Sequence, residues 1–209
     1  MSDETFENAR WLIGAIARGL HAREAGAEGA AEVLGRLAEQ KLDSANFNAP
    51  DPARLPVLKD LPDCIGETML LDADLAAALA ANADDLQWRQ SSSYADKLLG
   101  EGFIDNYGWT EIIGPRGFFP GDDFLLGLLM LGPNRHYKDH YHPAPELNWP
   151  LTGPSDWKKG AGGFETRNAG EPIWHPPLRV HATKTGDRPL LAVWSWTNDT
   201  ATPAKLVAQ

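Results

Sequence analysis

A short stretch in the second half of the chain brings together side chains that bind divalent metal ions. It reads His140-Tyr141-His142-Pro143-Ala144-Pro145-Glu146. Side chains two and four positions apart lie on the same face of a strand, so His140, His142 and Glu146 can converge inside a barrel. His181, on what would be a neighbouring strand, is the candidate for a fourth ligand. Three imidazoles and one carboxylate suit one divalent ion such as Fe²⁺, Zn²⁺ or Mn²⁺ and leave positions free for a ligand.

The spacing of these residues also matches a known pattern. His-x-His-x3-Glu-x6-Gly is filled without a gap from His140 to Gly153 and resembles the first motif of the cupin superfamily. A looser second motif follows, in which Gly170 and Pro176 stand eleven and five residues before His181. The resemblance implies a mainly β fold, a cupin barrel of the double-stranded β-helix or jelly-roll type, with an α-helical N-terminal segment.

A narrower resemblance covers nearly the whole chain in layout, with its specific motifs within residues 137–196. Two patterns carry it: Tyr137-x2-His140-x-His142-x3-Glu146, and Trp174-His175-Pro176-x4-His181-Ala182-x2-Thr185. They are similar to those of the cupin-type dimethylsulfoniopropionate lyases of marine bacteria, which produce dimethyl sulfide and acrylate. The resemblance implies that His140, His142, Glu146 and His181 hold the metal and that Tyr137 belongs to the active site.

β-Elimination from a sulfonium carboxylate needs a base and a place for the cation. Tyr137 is the first candidate for the base, since a metal ion lowers the pKa of a nearby phenol, and Tyr141 is the next. A sulfonium group has no hydrogen-bond donor, so aromatic faces hold it best, each contributing about 0.5 to 2 kcal/mol. The candidates for this aromatic wall are Trp149, Trp174, Trp194 and Trp196. For each of them, simple filling of the core is the alternative.

Asn148 departs from the lyase pattern. In the resembling family a second tyrosine stands two residues after the glutamate of the motif, and is usually assigned the role of base. Asn148 shares the inward parity of Glu146, so it is a candidate substrate-binding residue, but an amide cannot act as a base. Either Tyr137 or Tyr141 is then the base, or the lyase activity is weak, or the substrate differs.

Two other functions stay open at this point. One is an oxygenase or isomerase that uses the same metal on a small carboxylate, and the other is a cupin that binds a metal or ligand without catalysis. His136 and His175 are candidates for a spare ligand and for a group that supports the ligands, although a structural role is favoured for both.

The elements that must position these residues change character along the chain. Apolar residues recur at helical spacing in three series, over residues 6–20, 33–38 and 75–86, with Asp72 or Asp74 as an N-cap. From about Gly102, short apolar segments between Gly and Pro predict strands near residues 104–113, 122–131, 145–151, 163–168, 171–174, 179–184 and 190–197. We therefore expect a helical segment over residues 1–95, packed on a barrel over residues 96–209.

Composition limits the partners. The net charge of −10 and the lack of a basic cluster argue against nucleic acid, and no apolar run approaches the roughly 18 residues that span a membrane. Cys64 is the single cysteine and predicts a small buried hydrophobe in a reduced, cytoplasmic setting. The expected partner is a small zwitterionic or carboxylate substrate, with a homodimer as a further expectation because cupins often pair through barrel edges.

Overall fold

The computed structural model describes residues 2–208, in which helices precede a set of β-strands. The helices are α1 (Ser2–His21), α2 (Ala30–Ala38), α3 (Leu61–Leu71), α4 (Ala73–Asn82) and the single turn α5 (Asp96–Leu99), with 3-10 turns at Glu24–Gly26, Pro56–Asp60 and Ile104–Asn106. The strands are β1 (Tyr107–Ile113), β2 (Leu125–Leu131), β3 (His136–Tyr141), β4 (Glu146–Pro150), β5 (Ser155–Lys159), β6 (Phe164–Arg167), β7 (Ile173–His175), β8 (His181–Thr185), β9 (Leu190–Trp196) and β10 (Lys205–Leu206).

The three helical series of the sequence correspond to α1, α2 and α4. Leu12, Ile16 and Leu20 of α1 are fully buried, as their spacing on one helix face predicts. Asp72 is the N-cap of α4, because its carboxylate accepts a hydrogen bond from the Leu75 amide at 3.0 Å. The spacing did not predict α3, which lies against α4.

The strands form two five-stranded antiparallel sheets. The first has the order β1-β2-β9-β4-β7 and the second β10-β3-β8-β5-β6. All seven predicted strand segments overlap a strand, whereas β3, β5 and β10 were not predicted. Within residues 2–208 no helix is both long enough and apolar enough to cross a membrane.

Two hydrophobic clusters lie on opposite faces of the first sheet. The first cluster joins the helices to the outer face of that sheet, where Leu147, Trp149 and Trp174 are buried. The second cluster fills the interior between the two sheets with residues such as Leu129, Ile173 and Trp194. Burial on both faces explains why β2 is an almost continuous run of leucines rather than an alternating strand. The division into segments at residues 95 and 96 stays a prediction.

Candidate metal centre

His142, Glu146 and His181 come together in the barrel interior. Their ligand atoms all lie within 4.8 Å of one another, and all three side chains are buried. Oε2 of Glu146 lies 3.1 Å from Nε2 of His181 and 3.5 Å from Nε2 of His142. A buried carboxylate between two imidazoles is a donor set that suits a divalent transition metal.

Strand pairing places these residues. Glu146 is the first residue of β4 and His181 the first of β8, while His142 directly follows β3. His140 of β3 lies opposite His181 in the ladder between β3 and β8. The two sheets thus contribute candidate ligands from facing strand ends. The expectation that His140, His142 and Glu146 share one face of a single strand is corrected, because residues 142–145 separate β3 from β4 and the two strands belong to different sheets.

Each imidazole is oriented by a backbone carbonyl. Nδ1 of His140, His142 and His181 lies 2.8 Å from the carbonyl oxygen of Lys138, Ala144 and Arg179 respectively. With Nδ1 as the donor, Nε2 is left as the nitrogen with a free lone pair, which is the arrangement found around ligating histidines. Nε2 of both His142 and His181 is buried without a hydrogen-bond partner. A metal ion would fill this need, so the residues present fit the group.

His140 lies beside the close group of three rather than within it. Its ring centroid is 4.1 Å from that of His181 and 6.5 Å from that of His142. The geometry therefore gives a candidate metal-binding triad of His142, Glu146 and His181, with a fourth imidazole next to it.

The protonation states of this group suit metal binding. Burial disfavours the charge of Glu146, but its contacts with His142 and His181 outweigh burial and hold the pKa of the carboxyl well below its usual range. Burial, together with the neighbouring His181, lowers the pKa of His140 well below that of a free histidine. A charged carboxylate and a neutral imidazole are the forms that bind metals.

Two of the four candidate tryptophans are at the centre. Nε1 of Trp196 donates a hydrogen bond to Oε1 of Glu146 at 3.0 Å, and its ring stacks on that of His142 with centroids 4.3 Å apart. The Trp194 ring lies 5.8 Å from the Trp196 ring, inside the barrel. Both therefore share the interior face of β9, and Trp196 touches two of the candidate ligands.

The other two tryptophans lie on the far face of the first sheet. Trp149 is fully buried against α1, so closely that a Cβ atom added at Gly19 would stand only 2.2 Å from its ring. The Arg23 guanidinium lies 4.8 Å from the same ring. Trp174 packs in the same way against Gly29, which has a φ of +82°. Strand alternation turns both away from Glu146, so the expectation that Trp149 and Trp174 bind substrate is corrected to a role in the core.

A β-bulge brings Tyr137 to the centre. The register between β3 and β8 shifts between Tyr137 and His140, so two residues three positions apart both face inward. The Tyr137 ring stacks on the His140 ring with centroids 3.9 Å apart and planes at 11°. Tyr141 lies between two inward histidines, opposite Lys205 of β10, and alternation turns it away from them.

Asn148 lies on the interior face, as its parity predicted. It is buried two residues beyond Glu146, and its cross-strand neighbours are Trp194 of β9 and Ile173 of β7. An amide thus occupies a buried position on the same face as the candidate metal ligand Glu146.

Two further residues contact side chains of the centre. The hydroxyl of Tyr94 lies 2.7 Å from that of Tyr137, a contact that no sequence signal predicted because Tyr94 follows three serines in a linker. His175, opposite Glu146 in the ladder, stacks on His181 with centroids 4.2 Å apart. Burial lowers the pKa of His175 to about 3, so this imidazole is neutral.

Comparison with known proteins places the chain. The sequence model of the dimethylsulfoniopropionate lyase family matches residues 28–192, which is most of the chain. The chain belongs to this family. It is similar to the dimethylsulfoniopropionate lyase DddQ of Ruegeria pomeroyi, with 28% identity over 96% of this chain and 93% of that protein. It is also similar to the putative dimethylsulfoniopropionate lyase DddL of Cereibacter sphaeroides, with 27% identity over 59% of this chain and 50% of that protein.

Solved structures of such lyases share the fold. The crystal structure of DddQ from Ruegeria pomeroyi matches with a TM-score of 0.73 and 24% identity, over 98% of this chain and 97% of that one. A chain from the crystal structures of the lyases RdDddP and RnDddQII matches with a TM-score of 0.69 and 21% identity, over 96% and 100% of the two chains. The predicted fold class, a mainly β cupin barrel with an α-helical N-terminal segment, is confirmed.

Proposed function

We propose that this lyase-family protein is a metal-dependent carbon–sulfur lyase that cleaves dimethylsulfoniopropionate to dimethyl sulfide and acrylate. The observation that carries the proposal is the buried group of His142, Glu146 and His181, with unpartnered Nε2 atoms and a stacked tyrosine beside it. Membership of the lyase family supports the choice of substrate.

His142, Glu146 and His181 hold the metal in this proposal, and His140 joins them as the fourth ligand. The ion is Fe²⁺, Zn²⁺ or Mn²⁺, since three imidazoles and one carboxylate accept each of these. When bound, such an ion stabilises the negative charge that develops on the substrate carboxylate and favours the phenolate form of a neighbouring tyrosine.

The aromatic side chains provide the place for the sulfonium cation. Trp194 and Trp196 lie on one interior face, beside Glu146, and their rings offer the electron-rich surfaces that attract a cation without donors. Asn148 lies across from Trp194 and supplies an amide to the same face. This arrangement fits a small zwitterion with one carboxylate and one sulfonium group.

Tyr137 is the base in this proposal, with Tyr141 the alternative. Burial raises the pKa of Tyr137 well above that of a free phenol, so a bound cation would be needed to favour its phenolate. That phenolate oxygen takes a proton from the carbon next to the substrate carboxylate. A carbon–carbon double bond forms, the carbon–sulfur bond breaks, and both of its electrons leave with the sulfur. The products are dimethyl sulfide, acrylate and a proton, which passes from Tyr137 to solvent.

Further parts of the proposal concern setting and assembly. Cys64, the single cysteine, is free and buried, and burial raises the pKa of its thiol to about 12. A chain with one unpaired cysteine fits the cytoplasmic setting that we propose. The net charge of −10 fits a small-molecule substrate rather than nucleic acid. A homodimer is the proposed assembly.

A pair of tyrosine variants tests the assignment of the base. Tyr137→Phe should retain the metal and lose about 10² to 10⁴-fold in the rate of dimethyl sulfide release, the usual contribution of a general base. Tyr141→Phe is the matched control and should keep the natural rate. An unchanged rate in Tyr137→Phe together with a loss in Tyr141→Phe would move the base to Tyr141.

A further inference from the structure

Tyr94 enters the barrel interior from outside the barrel. It lies in the linker between α4 and α5, where a turn closes with a hydrogen bond from the Tyr94 amide to the Ser91 carbonyl at 3.0 Å. Ser92 and Ser93 of this turn are exposed, whereas Tyr94 is only 7% exposed and belongs to the interior cluster. The linker therefore inserts one phenol into the barrel.

The inserted phenol contacts Tyr137 through both its ring and its hydroxyl. The two hydroxyl oxygens are 2.7 Å apart, the usual length of an O–H···O hydrogen bond, and the ring centroids are 5.7 Å apart at 65°. Tyr107 packs beside both rings, and its own hydroxyl lies 3.4 Å from Oγ of Ser91. The Tyr107 hydroxyl also interacts with that of Tyr137, so Tyr94, with its hydroxyl at 2.7 Å, is one of two phenols that contact it.

Together, His140 and Tyr94 fix Tyr137 at two points. The His140 ring sets the plane of the Tyr137 ring, at 3.9 Å and 11°, and the Tyr94 hydroxyl sets the position of its oxygen. A base is effective only when its oxygen is held within reach of the proton that it removes. Both contacts restrict the side chain whose oxygen matters for proton transfer.

We propose that Tyr94 is a positioning residue for the reaction, whose hydroxyl donates a hydrogen bond to the Tyr137 oxygen and holds it toward the substrate. This inference rests on the proposed function, in which Tyr137 is the base. Tyr94 acts through Tyr137 and does not touch the substrate.

The test is a double-mutant cycle on metal-loaded protein with dimethylsulfoniopropionate as substrate. Tyr94→Phe keeps the ring and removes one oxygen, so kcat should fall about tenfold to a hundredfold, as for the loss of one hydrogen bond to a charged oxygen, with KM and metal content unchanged. In a Tyr137→Phe background the same change should have no further effect on kcat, because its partner oxygen is already absent. An equal fall in both backgrounds would overturn the proposal.

Tyr107→Phe is the comparison variant, since it removes the same atom from a second phenol of the cluster, one that also interacts with the Tyr137 hydroxyl but without the short contact of 2.7 Å that Tyr94 makes. Its kcat should stay within about threefold of the natural value, the scale of one weak neutral hydrogen bond. An equal loss in Tyr107→Phe and Tyr94→Phe would contradict a specific role for Tyr94.

Thermal unfolding of the metal-free variants gives a second measurement of the Tyr94–Tyr137 coupling, which should be present whatever the substrate is. If the natural protein releases no dimethyl sulfide while that coupling is intact, the proposed function is refuted, and the positioning role is refuted with it. The contact between Tyr94 and Tyr137 is then a structural hydrogen bond only.

Discussion

Replacement of Asn148 by tyrosine tests how far this site has diverged from the lyase pattern. Asn148 is 3% exposed and faces the interior two residues beyond Glu146, so a phenol at this position would lie on the same face as the candidate metal ligands. A second base there could raise the rate of dimethyl sulfide release by about 10² to 10⁴-fold. We expect low activity in the natural protein and a measurable increase in Asn148→Tyr.

The same substitution has a packing cost that can be worked from its neighbours. Trp194 and Ile173, the cross-strand neighbours, are 8% and 7% exposed, so a larger side chain at position 148 enters a filled interior. Overpacking of this kind costs about 1 to 3 kcal/mol. At about 2 to 4 °C per kcal/mol for a chain of this size, Tm should fall by about 2 to 12 °C.

Asn148→Phe is the matched control, because it adds the same ring without the hydroxyl. Headspace measurement of dimethyl sulfide per metal-loaded chain should give a higher rate for the tyrosine variant than for the phenylalanine variant, at similar Tm. Equal rates in the two variants would refute the reasoning. So would a natural protein that already turns over rapidly and is slowed by the added tyrosine, since Asn148 would then belong to a working arrangement.

Two further predictions concern the core and pH. Trp149→Ala should lower the unfolding free energy by about 3 to 5 kcal/mol in denaturant titrations, because Trp149 is fully buried against α1. The variant should keep the natural KM, and a raised KM would show that Trp149 does belong to the substrate site. His175 binds a proton near pH 6.5 when unfolded but near pH 3 when folded, so the unfolded state binds more protons between these values. The unfolding free energy of metal-free protein should therefore decrease as pH falls from about 6.5 toward 3, and should decrease less in His175→Leu; identical pH profiles would show that His175 is not held neutral.

The sequence predicted the parts of the fold whose residues follow a simple period. The helical spacing in α1 and the apolar run of β2 both correspond to elements whose faces are buried throughout. β3 and β5 escaped prediction because their interior positions hold Tyr137, His140 and Trp157 while their outer positions are charged, so neither strand has an aliphatic alternation.

The candidate site was predictable where one strand carried it. The inward direction of Asn148 follows from Glu146 by local alternation within β4. His142 and Glu146 lie on either side of the break between β3 and β4, so their convergence depends on how the two sheets face each other. The same alternation, applied to Trp149, gives the outer face that the structure shows. The contact between Tyr94 and Tyr137 depends instead on the path of a linker and on a β-bulge, neither of which has a period in the sequence.

The measurement that tests the central claim most directly is dimethyl sulfide release by metal-reconstituted protein, paired with elemental analysis of the same samples. The natural protein should hold about one divalent ion per chain, as expected for one cluster of ligands, and should release dimethyl sulfide and acrylate in equal amounts. His142→Ala should lose the ion and the activity together, because His142 supplies a buried Nε2 to the triad. Undiminished metal in His142→Ala, or a fully loaded natural protein that releases no dimethyl sulfide, would contradict the account.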